Sequence, residues 1–311
     1  MSRPLILAHL SDVHLGPLPP FALRHWNVKR VLGYLNWQRG RRHVHTRAAV
    51  NLVTADVAAQ HPDHIAVTGD LVNIALPGEY IAARAWLDAL GAPGMVSVVP
   101  GNHDIYTHLG RDPGCDRWAD YMRGDEVAAA PANTSAPDFH EPIFPYVRRR
   151  GKVALIGLNS AVPTPPFIAA GIVGKPQIAR LATILARLAE EGLFRVVMIH
   201  HPPLPGLASP SRGLEDAADL ERVLLRHGAE LVLHGHNHRD MLSWRDWQGG
   251  RFPVLGIASG SAAKLHHGEP MARYNLIEIA ERDGGFAMRV RSRGLDAAGH
   301  RVVELRPPSL V

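Results

Sequence analysis

The strongest constraint on the fold is a short apolar segment that recurs along the chain and ends each time in polar side chains. Between these segments lie longer stretches with apolar residues at helical spacing, at 47–59, 79–90, 175–189 and 214–226. Short buried strands that alternate with amphipathic helices are typical of βαβ units. The pattern therefore predicts buried strands at 5–10, 64–68, 95–99, 194–199 and 231–233.

The C-terminal part of the chain shows no helical period and predicts a β meander, with strands at 241–247, 253–258, 272–280 and 286–292. Two further strands are predicted at 143–149 and 152–158. Together these elements predict an α/β fold of two packed β-sheets flanked by helices. We expect one domain over residues 1–311, with an insert at 17–46. Residues 105–142 have no clear period and are expected to form a long loop or a short helical excursion over the site.

Composition excludes several classes of protein. The chain has 311 residues and 46% apolar residues, and no apolar run is long enough to cross a bilayer. Residues 1–10 predict a first strand and not a signal peptide. The single cysteine excludes an internal disulfide and fits a reducing compartment, so we expect a cytoplasmic protein. The net charge of +5 does not by itself indicate a nucleic-acid partner, and no stacking platform is evident, so nucleic-acid binding is not expected.

Five strand ends carry carboxylates, imidazoles and one amide. Taken alone, the polar side chains at any one strand end could simply cap a turn or form hydrogen bonds within a loop. In an open α/β sheet, however, the carboxyl ends of the strands meet at one edge. Carboxylates and imidazoles without thiolates suit Mn, Fe or Zn, and seven or more ligands are too many for one ion. The pattern therefore predicts two divalent ions bridged by a carboxylate, at Asp12, His14, Asp70, Asn102, His103, Asp104, His200, His201, His236 and His238.

The ordered blocks resemble the calcineurin-like metallophosphoesterase superfamily over residues 5–238. They are Asp12-x-His14, Gly69-Asp70, Gly101-Asn102-His103-Asp104, His200-His201-Pro202-Pro203 and Gly235-His236-x-His238. The resemblance implies that Asp70 bridges the two metals. It implies one ligand set of Asp12, His14, Asp70 and His238. It implies a second set of Asp70, Asn102, His200 and His236.

The same resemblance implies a mechanism of phosphoester hydrolysis. A hydroxide that bridges the two metals attacks phosphorus, because two cations make hydroxide available at neutral pH. His103 lies just outside the metals, is oriented by Asp104, and donates a proton to the leaving oxygen or stabilises its charge. His201, which the family block often lacks, is assigned to substrate binding or to support of the site.

The substrate remains open at this point, because the blocks fix the metal chemistry and not the leaving group. They look most like the branch of bacterial cyclic-nucleotide and glycerophospho-diesterases, which favours a small soluble diester. A lipid-linked substrate cleaved at the inner membrane, as by the superfamily members that hydrolyse UDP-diacylglucosamine, is the main alternative. A nuclease, a phosphomonoesterase and a non-catalytic metal-binding scaffold are less favoured, and the oligomeric state is open.

The insert at 17–46 is the feature that supports the membrane alternative. No acidic residue occurs between Val13 and Ala55, whereas seven cationic side chains do. Trp26 and Trp37 are eleven residues apart, about three helical turns, and would share a face if both were helical. Such a basic, aromatic segment either docks on an anionic membrane or walls the pocket.

Overall fold

The computed structural model describes residues 3–20, 22–110, 112–125 and 144–306, and its described part contains two six-stranded β-sheets. The strands, numbered in chain order, are β1 (Leu5–Leu10), β2 (His64–Val67), β3 (Val96–Val98), β4 (Tyr146–Arg150), β5 (Val153–Gly157), β6 (Phe194–Met198), β7 (Leu231–His234), β8 (Met241–Trp247), β9 (Gly250–Gly256), β10 (Arg273–Arg282), β11 (Gly285–Leu295) and β12 (Val302–Leu305). The α-helices are α1 (Val28–Arg39), α2 (Arg47–Ala59), α3 (Pro77–Leu90), α4 (Lys175–Glu190) and α5 (Ala217–His227).

The first sheet is parallel in one half and antiparallel in the other, whereas the second sheet has a parallel centre and antiparallel edges. The first sheet has the order β12-β11-β10-β1-β2-β3, and β1, β2 and β3 run parallel. The second has the order β4-β5-β6-β7-β9-β8, and β5, β6, β7 and β9 run parallel. Strands β2, β3, β6 and β7 are buried throughout, as expected for parallel strands covered on both faces. The predicted α/β fold with two packed sheets flanked by helices is confirmed.

The apolar residues form two cores. The larger lies between the sheets and beneath α2 and α3, with Leu7, Leu10, Val67 and Val98 almost inaccessible to solvent. The second lies on the outer side of the second sheet, where α4 presents an apolar stripe of Ile178, Leu181, Leu185 and Leu188. In the described part of the chain, no helix has the length and apolar character needed to span a membrane.

Some predicted element bounds differ from the structure. The helix predicted from 214 begins at Ala217, because the Asp216 carboxylate accepts the backbone N–H groups of Val173 and Gly174 and fixes the preceding turn. Strand β12 was not predicted, since its four residues are only partly buried and show no clear alternation. It pairs with β11 at the edge of the first sheet.

The insert forms α1 and the short 3₁₀ turn Arg41–His43. Trp26 lies before the helix, whose N-cap is Asn27, so the predicted shared face of Trp26 and Trp37 is wrong. Lys29 is buried and donates to the carbonyl and hydroxyl oxygens of Thr164. Two of the seven cations, Lys29 and Arg30, are therefore buried and not available to a membrane.

Within the described part of 105–142, a 3₁₀ segment, Gly114–Met122, packs on α3. Trp118 and Tyr121 are buried there, and Arg84 of α3 pairs with Asp120 at 2.9 Å. This part of the predicted excursion therefore lies against the core and not over the site. Residues 111 and 126–142 of the predicted excursion, and the first residue of the strand predicted at 143–149, lie outside the described residues.

Candidate metal centre

The predicted metal ligands follow five parallel strands of the two sheets and converge between them. Asp12 and His14 follow β1, and Asp70 follows β2. Asn102 follows β3, His200 follows β6, and His236 and His238 follow β7. Most of them are buried, with His238 partly exposed.

Asp12, His14 and His238 form one cluster of potential ligand atoms. His238 Nε2 lies 3.2 Å from Asp12 Oδ1 and 3.2 Å from His14 Nε2. His14 Nε2 is also 3.9 Å from Asp70 Oδ2. These four residues are the predicted first set, and the structure brings them together.

Asp70, His200 and His236 form a second cluster. His200 Nε2 lies 3.4 Å from Asp70 Oδ2 and 3.2 Å from Asn102 Oδ1. His236 Nδ1 lies 3.2 Å from the same His200 nitrogen. Asp70 Oδ1 accepts the N–H of His103 at 2.7 Å, which leaves Oδ2 facing both clusters.

The hydrogen bonds outside the clusters leave lone pairs pointing into them. His14 Nδ1 donates to Val72 O at 3.1 Å, and His200 Nδ1 donates to Thr68 O at 2.6 Å. His238 Nδ1 donates to Glu269 Oε2 at 3.1 Å. Partners of this kind select the ring nitrogen that binds a metal. Asp12 Oδ1 is buried without a hydrogen bond among the described residues. This donor set fits two transition-metal ions.

The ionisation of the carboxylates in the two clusters also favours the binding of cations. Burial disfavours the charged form of Asp12, yet His238 outweighs it and holds the pKa of Asp12 below its usual value. Burial would lower the pKa of His200, but the Asp70 carboxylate raises it to about 9. Burial is likewise outweighed at His238, where Asp12 raises the pKa to about 9. The carboxylates thus hold protons on imidazoles that a metal would displace.

Backbone conformation at the strand ends is unusual. Asp12, His14, Asp70, His236 and His238 all have positive φ, between 37° and 71°. Left-handed conformations are costly for residues with side chains and cluster at functional sites.

A glycine allows the two sheets to lie close together at the site. The N–H of His236 donates to Asp12 Oδ2 at 3.0 Å, and a side chain at the preceding Gly235 would meet Ser11 Oγ and Asp12 Oδ2. The second sheet can therefore approach β1 this closely only because residue 235 is glycine.

The predicted orientation of His103 by Asp104 is wrong. The His103 Nδ1–H donates to the carbonyl oxygen of Asn73, and Nε2 faces the clusters. The Asp104 carboxylate instead accepts four backbone N–H groups at 2.8 to 3.1 Å, from Asp70, Leu71, Val72 and Gly101. A carboxylate saturated by this loop cannot also hold an imidazole. Asp104 thus shapes the backbone around Asp70.

The assignment of His201 to substrate binding does not agree with its contacts. Its Nδ1 lies 2.8 Å from Ser160 Oγ and its Nε2 lies 3.2 Å from Ala169 O. Both nitrogens are thus engaged in holding the 160–169 loop, and the ring is fully buried beside that of His236. His201 supports a predicted ligand and does not face a substrate.

Two residues of the insert reach the site and were not predicted from the sequence to lie there. Arg41 Nη1 donates to His103 Nε2 at 3.2 Å. The His45 ring centroid lies 4.9 Å from that of His14 and 5.3 Å from that of His238. The only signal in the sequence was the position of the insert directly after the first metal block.

Comparison with known proteins places these observations in a family. A probable cyclic nucleotide phosphodiesterase of Synechococcus sp. is 26% identical over 289 residues, covering 92% of this chain and 91% of that protein. A glycerophosphodiester phosphodiesterase of Enterobacter lignolyticus is 27% identical over 212 residues, covering 65% of this chain. The match spans 58% of that relative's length.

The fold resembles that of a solved dimetal phosphatase from Danio rerio, with a TM-score of 0.61 and 13% identity. This match covers 97% of the present chain and 99% of that one, so it concerns the whole architecture. The family model of the calcineurin-like phosphoesterases matches residues 5–240, which include all five predicted blocks. The chain belongs to the calcineurin-like phosphoesterase family and is a hydrolase of phosphoesters.

Proposed function

We propose that the chain is a phosphodiesterase that uses two divalent transition-metal ions, Mn, Fe or Zn. Asp12, His14, Asp70 and His238 would hold one ion, and Asp70, Asn102, His200 and His236 the other. The observation that carries this proposal is that the two clusters meet at Asp70 Oδ2, with histidine lone pairs directed inward. When bound, the two cations supply the charge that activates a water molecule and offsets the charge on the phosphoryl oxygens.

In this proposal, His103 acts on the leaving group and does not bind a metal. His103 lies within reach of Asp70, and Nε2 points to the space that a phosphoryl group would occupy. Burial, and then the charge of Arg41, lower the pKa of His103 to about 4, so the ring is neutral before substrate binds. A bound phosphate would offset that charge and favour the protonated ring. His103 then either donates a proton to the leaving oxygen or stabilises its charge.

A diester is the favoured substrate, because the relatives that match most of the chain are named for diesters. The test is a substrate panel with added Mn: bis-p-nitrophenyl phosphate, p-nitrophenyl phosphate, cyclic AMP, glycerophosphodiesters and a nucleotide-diphospho-lipid. We expect the diesters to be hydrolysed faster than the monoester. Hydrolysis of the monoester alone would contradict the proposal, and two bound metals without any turnover would favour the scaffold alternative.

The lipid-linked alternative is kept as a second candidate because apolar side chains are exposed on and near α1. Trp26, Val28 and Leu35 are 45%, 70% and 41% exposed. Phe167, which is 85% exposed, lies three residues after Thr164, the partner of Lys29 on α1. Four cations in or directly after the insert are also exposed: Arg24, Arg39, Arg42 and Arg47. At about 1 kcal/mol each, they would give roughly 4 kcal/mol at an anionic surface, close to millimolar affinity.

Co-sedimentation with liposomes tests this candidate. We expect binding to vesicles of anionic lipid at low salt, weakening with salt, and no binding to neutral vesicles. Binding should be abolished by a triple change to Glu at Arg24, Arg39 and Arg42. Arg41 is left intact because it lies in the site. The matched control is the same change at three exposed arginines of α4 and α5, at Arg187, Arg222 and Arg226. If the wild type stays in the supernatant, or the control triple loses binding equally, α1 serves as a pocket wall and the soluble diester is favoured.

A further inference from the structure

Arg41 differs from three buried arginines, Arg30, Arg148 and Arg195, in the partners of its guanidinium. Arg195 pairs with Glu230 at 2.7 Å, and Arg148 donates to the carbonyl oxygens of several loops. Arg30 likewise donates to the carbonyls of His25, Ile74 and Ala75. The guanidinium of Arg41, a partly buried residue, makes one hydrogen bond among the described residues, to His103 Nε2, and forms no ion pair with any described carboxylate.

This arrangement leaves most of the N–H donors of Arg41 without an acceptor in the part of the chain that the structure describes. A guanidinium offers five N–H donors and stays protonated in proteins. Holding such a group partly out of water is unfavourable unless an anion or several acceptors compensate it. On the side that faces the metal clusters, no described carboxylate lies close enough to pair with Arg41 directly, and this is where a phosphoryl group would lie.

The turn that carries Arg41 is fixed to the same backbone that positions Asp12. Arg41 O accepts the N–H groups of Val44 at 3.0 Å and His45 at 2.8 Å. The His45 ring lies 2.8 Å from Ser261 Oγ, and that hydroxyl donates to Asp12 O at 3.1 Å. Arg41 is therefore preorganised relative to the first cluster, which lowers the cost of ordering it when a ligand binds.

The charge of Arg41 acts on the imidazoles around the first cluster. Together with burial it lowers the pKa of His14, His45 and His103. Asp70 and Asp12 act in the opposite direction on Arg41 itself, against burial. If metal ions take up the charge of those carboxylates, the guanidinium faces the site as an unpaired cation. Arginine is well suited to pair with two phosphate oxygens at once.

We propose that Arg41 binds a non-bridging phosphoryl oxygen of the substrate and of the product phosphate, exchanging its contact with His103 for the anion. The inference deepens the proposed function and rests on it in one respect, namely that the phosphoryl group lies between the two clusters. Arg41 is thus a substrate-binding residue contributed by the insert and not by any of the five blocks. No covalent step is assigned to it.

The test is calorimetric titration of the Mn-loaded protein with inorganic phosphate, alongside metal analysis. We expect Arg41→Ala to weaken phosphate binding by roughly 10–100-fold, the loss typical of one hydrogen-bonded charge pair. Arg41→Lys keeps the charge but not the two-pronged donor, so its loss should be smaller. Metal content should stay at two ions per chain in both variants. The matched control is Arg42→Ala, one residue along and exposed, bonded to His43 and Gln38.

Several outcomes would overturn the inference. Equal phosphate affinity in the Arg41→Ala and Arg42→Ala variants would do so. Loss of bound Mn in both Arg41 variants would show instead that Arg41 stabilises the metal site and does not act by binding phosphate. Steady-state kinetics give a second readout, since KM for bis-p-nitrophenyl phosphate should rise with Arg41→Ala while Arg42→Ala leaves it unchanged. The titration needs no turnover, so Arg41-dependent phosphate binding by a chain that cleaves no diester would sustain this inference and contradict only the diester proposal.

Discussion

Replacing Asp70 by asparagine is expected to lower the occupancy of both metal positions in the same variant. Asp70 Oδ2 lies 3.4 Å from His200 Nε2 and 3.9 Å from His14 Nε2, so one oxygen faces both clusters. The amide removes the negative charge that two cations would share. Changing a residue that merely supports a ligand costs about 10–100-fold in metal affinity, so a change of the bridge itself should cost more. Metal analysis after Mn loading, with turnover of a diester alongside, measures the effect.

A suitable control is Asp56→Asn, which removes the charge of a partly buried, ion-paired carboxylate on α2. Asp56 pairs with Arg293 at 2.6 Å and accepts from Tyr274. This variant should lose stability but keep two metals per chain, whereas Asp70→Asn should lose metals even where it remains folded. Full double occupancy in Asp70→Asn would show that Asp70 is not the bridge.

Replacing His103 by alanine is expected to leave both metals bound and to reduce turnover by about 10²–10⁴-fold, the range for a lost proton donor. The ring is anchored through Nδ1 to Asn73 O, with Nε2 directed at the site, so its removal empties the position beside the leaving oxygen. The loss should be smaller for an aryl leaving group, which departs without a proton, than for an alkyl or ribosyl one. Rates on bis-p-nitrophenyl phosphate and on a glycerophosphodiester provide this comparison.

The His103 experiment separates three roles. Equal losses of rate on both substrates would show that His103 does not donate a proton, and its role would then be electrostatic stabilisation of the leaving oxygen. Loss of a metal would make His103 a ligand, a result that its cluster with His14 and Asp70 makes worth measuring. The control is His64→Ala, a buried histidine bonded to Ser97 Oγ at 2.7 Å, which should affect stability and not catalysis.

The positions of the strand ends could be predicted because they follow from periodicity alone. Parallel strands place their carboxyl ends at one edge of their sheet, so the side chains that follow them lie near one another there, whereas the meeting of the two sheets depends on packing. Asp12, Asp70 and His236 were therefore found from their places in the sequence, although 224 residues separate the first from the last.

The supporting contacts could not be predicted, because they depend on loop geometry that carries no period. Asn73 orients His103 through a carbonyl oxygen, which every residue possesses and which leaves no sequence signal. Glu269 lies behind His238 from a loop far along the chain. Arg41 was counted as one of seven similar cations, since composition cannot distinguish a side chain that points inward from one in solvent.

The division of the ligands between the sheets links the metals to the assembly of the whole molecule. Each cluster draws on both sheets, with Asp12, His14 and Asp70 from one and His200, His236 and His238 from the other. A bound ion would thus act as a cross-link between halves of the chain that are distant in sequence, in a protein whose single cysteine allows no internal disulfide. Since neither half alone holds a complete set, metal binding would favour only the assembled state and stabilise it in proportion to the logarithm of free metal concentration.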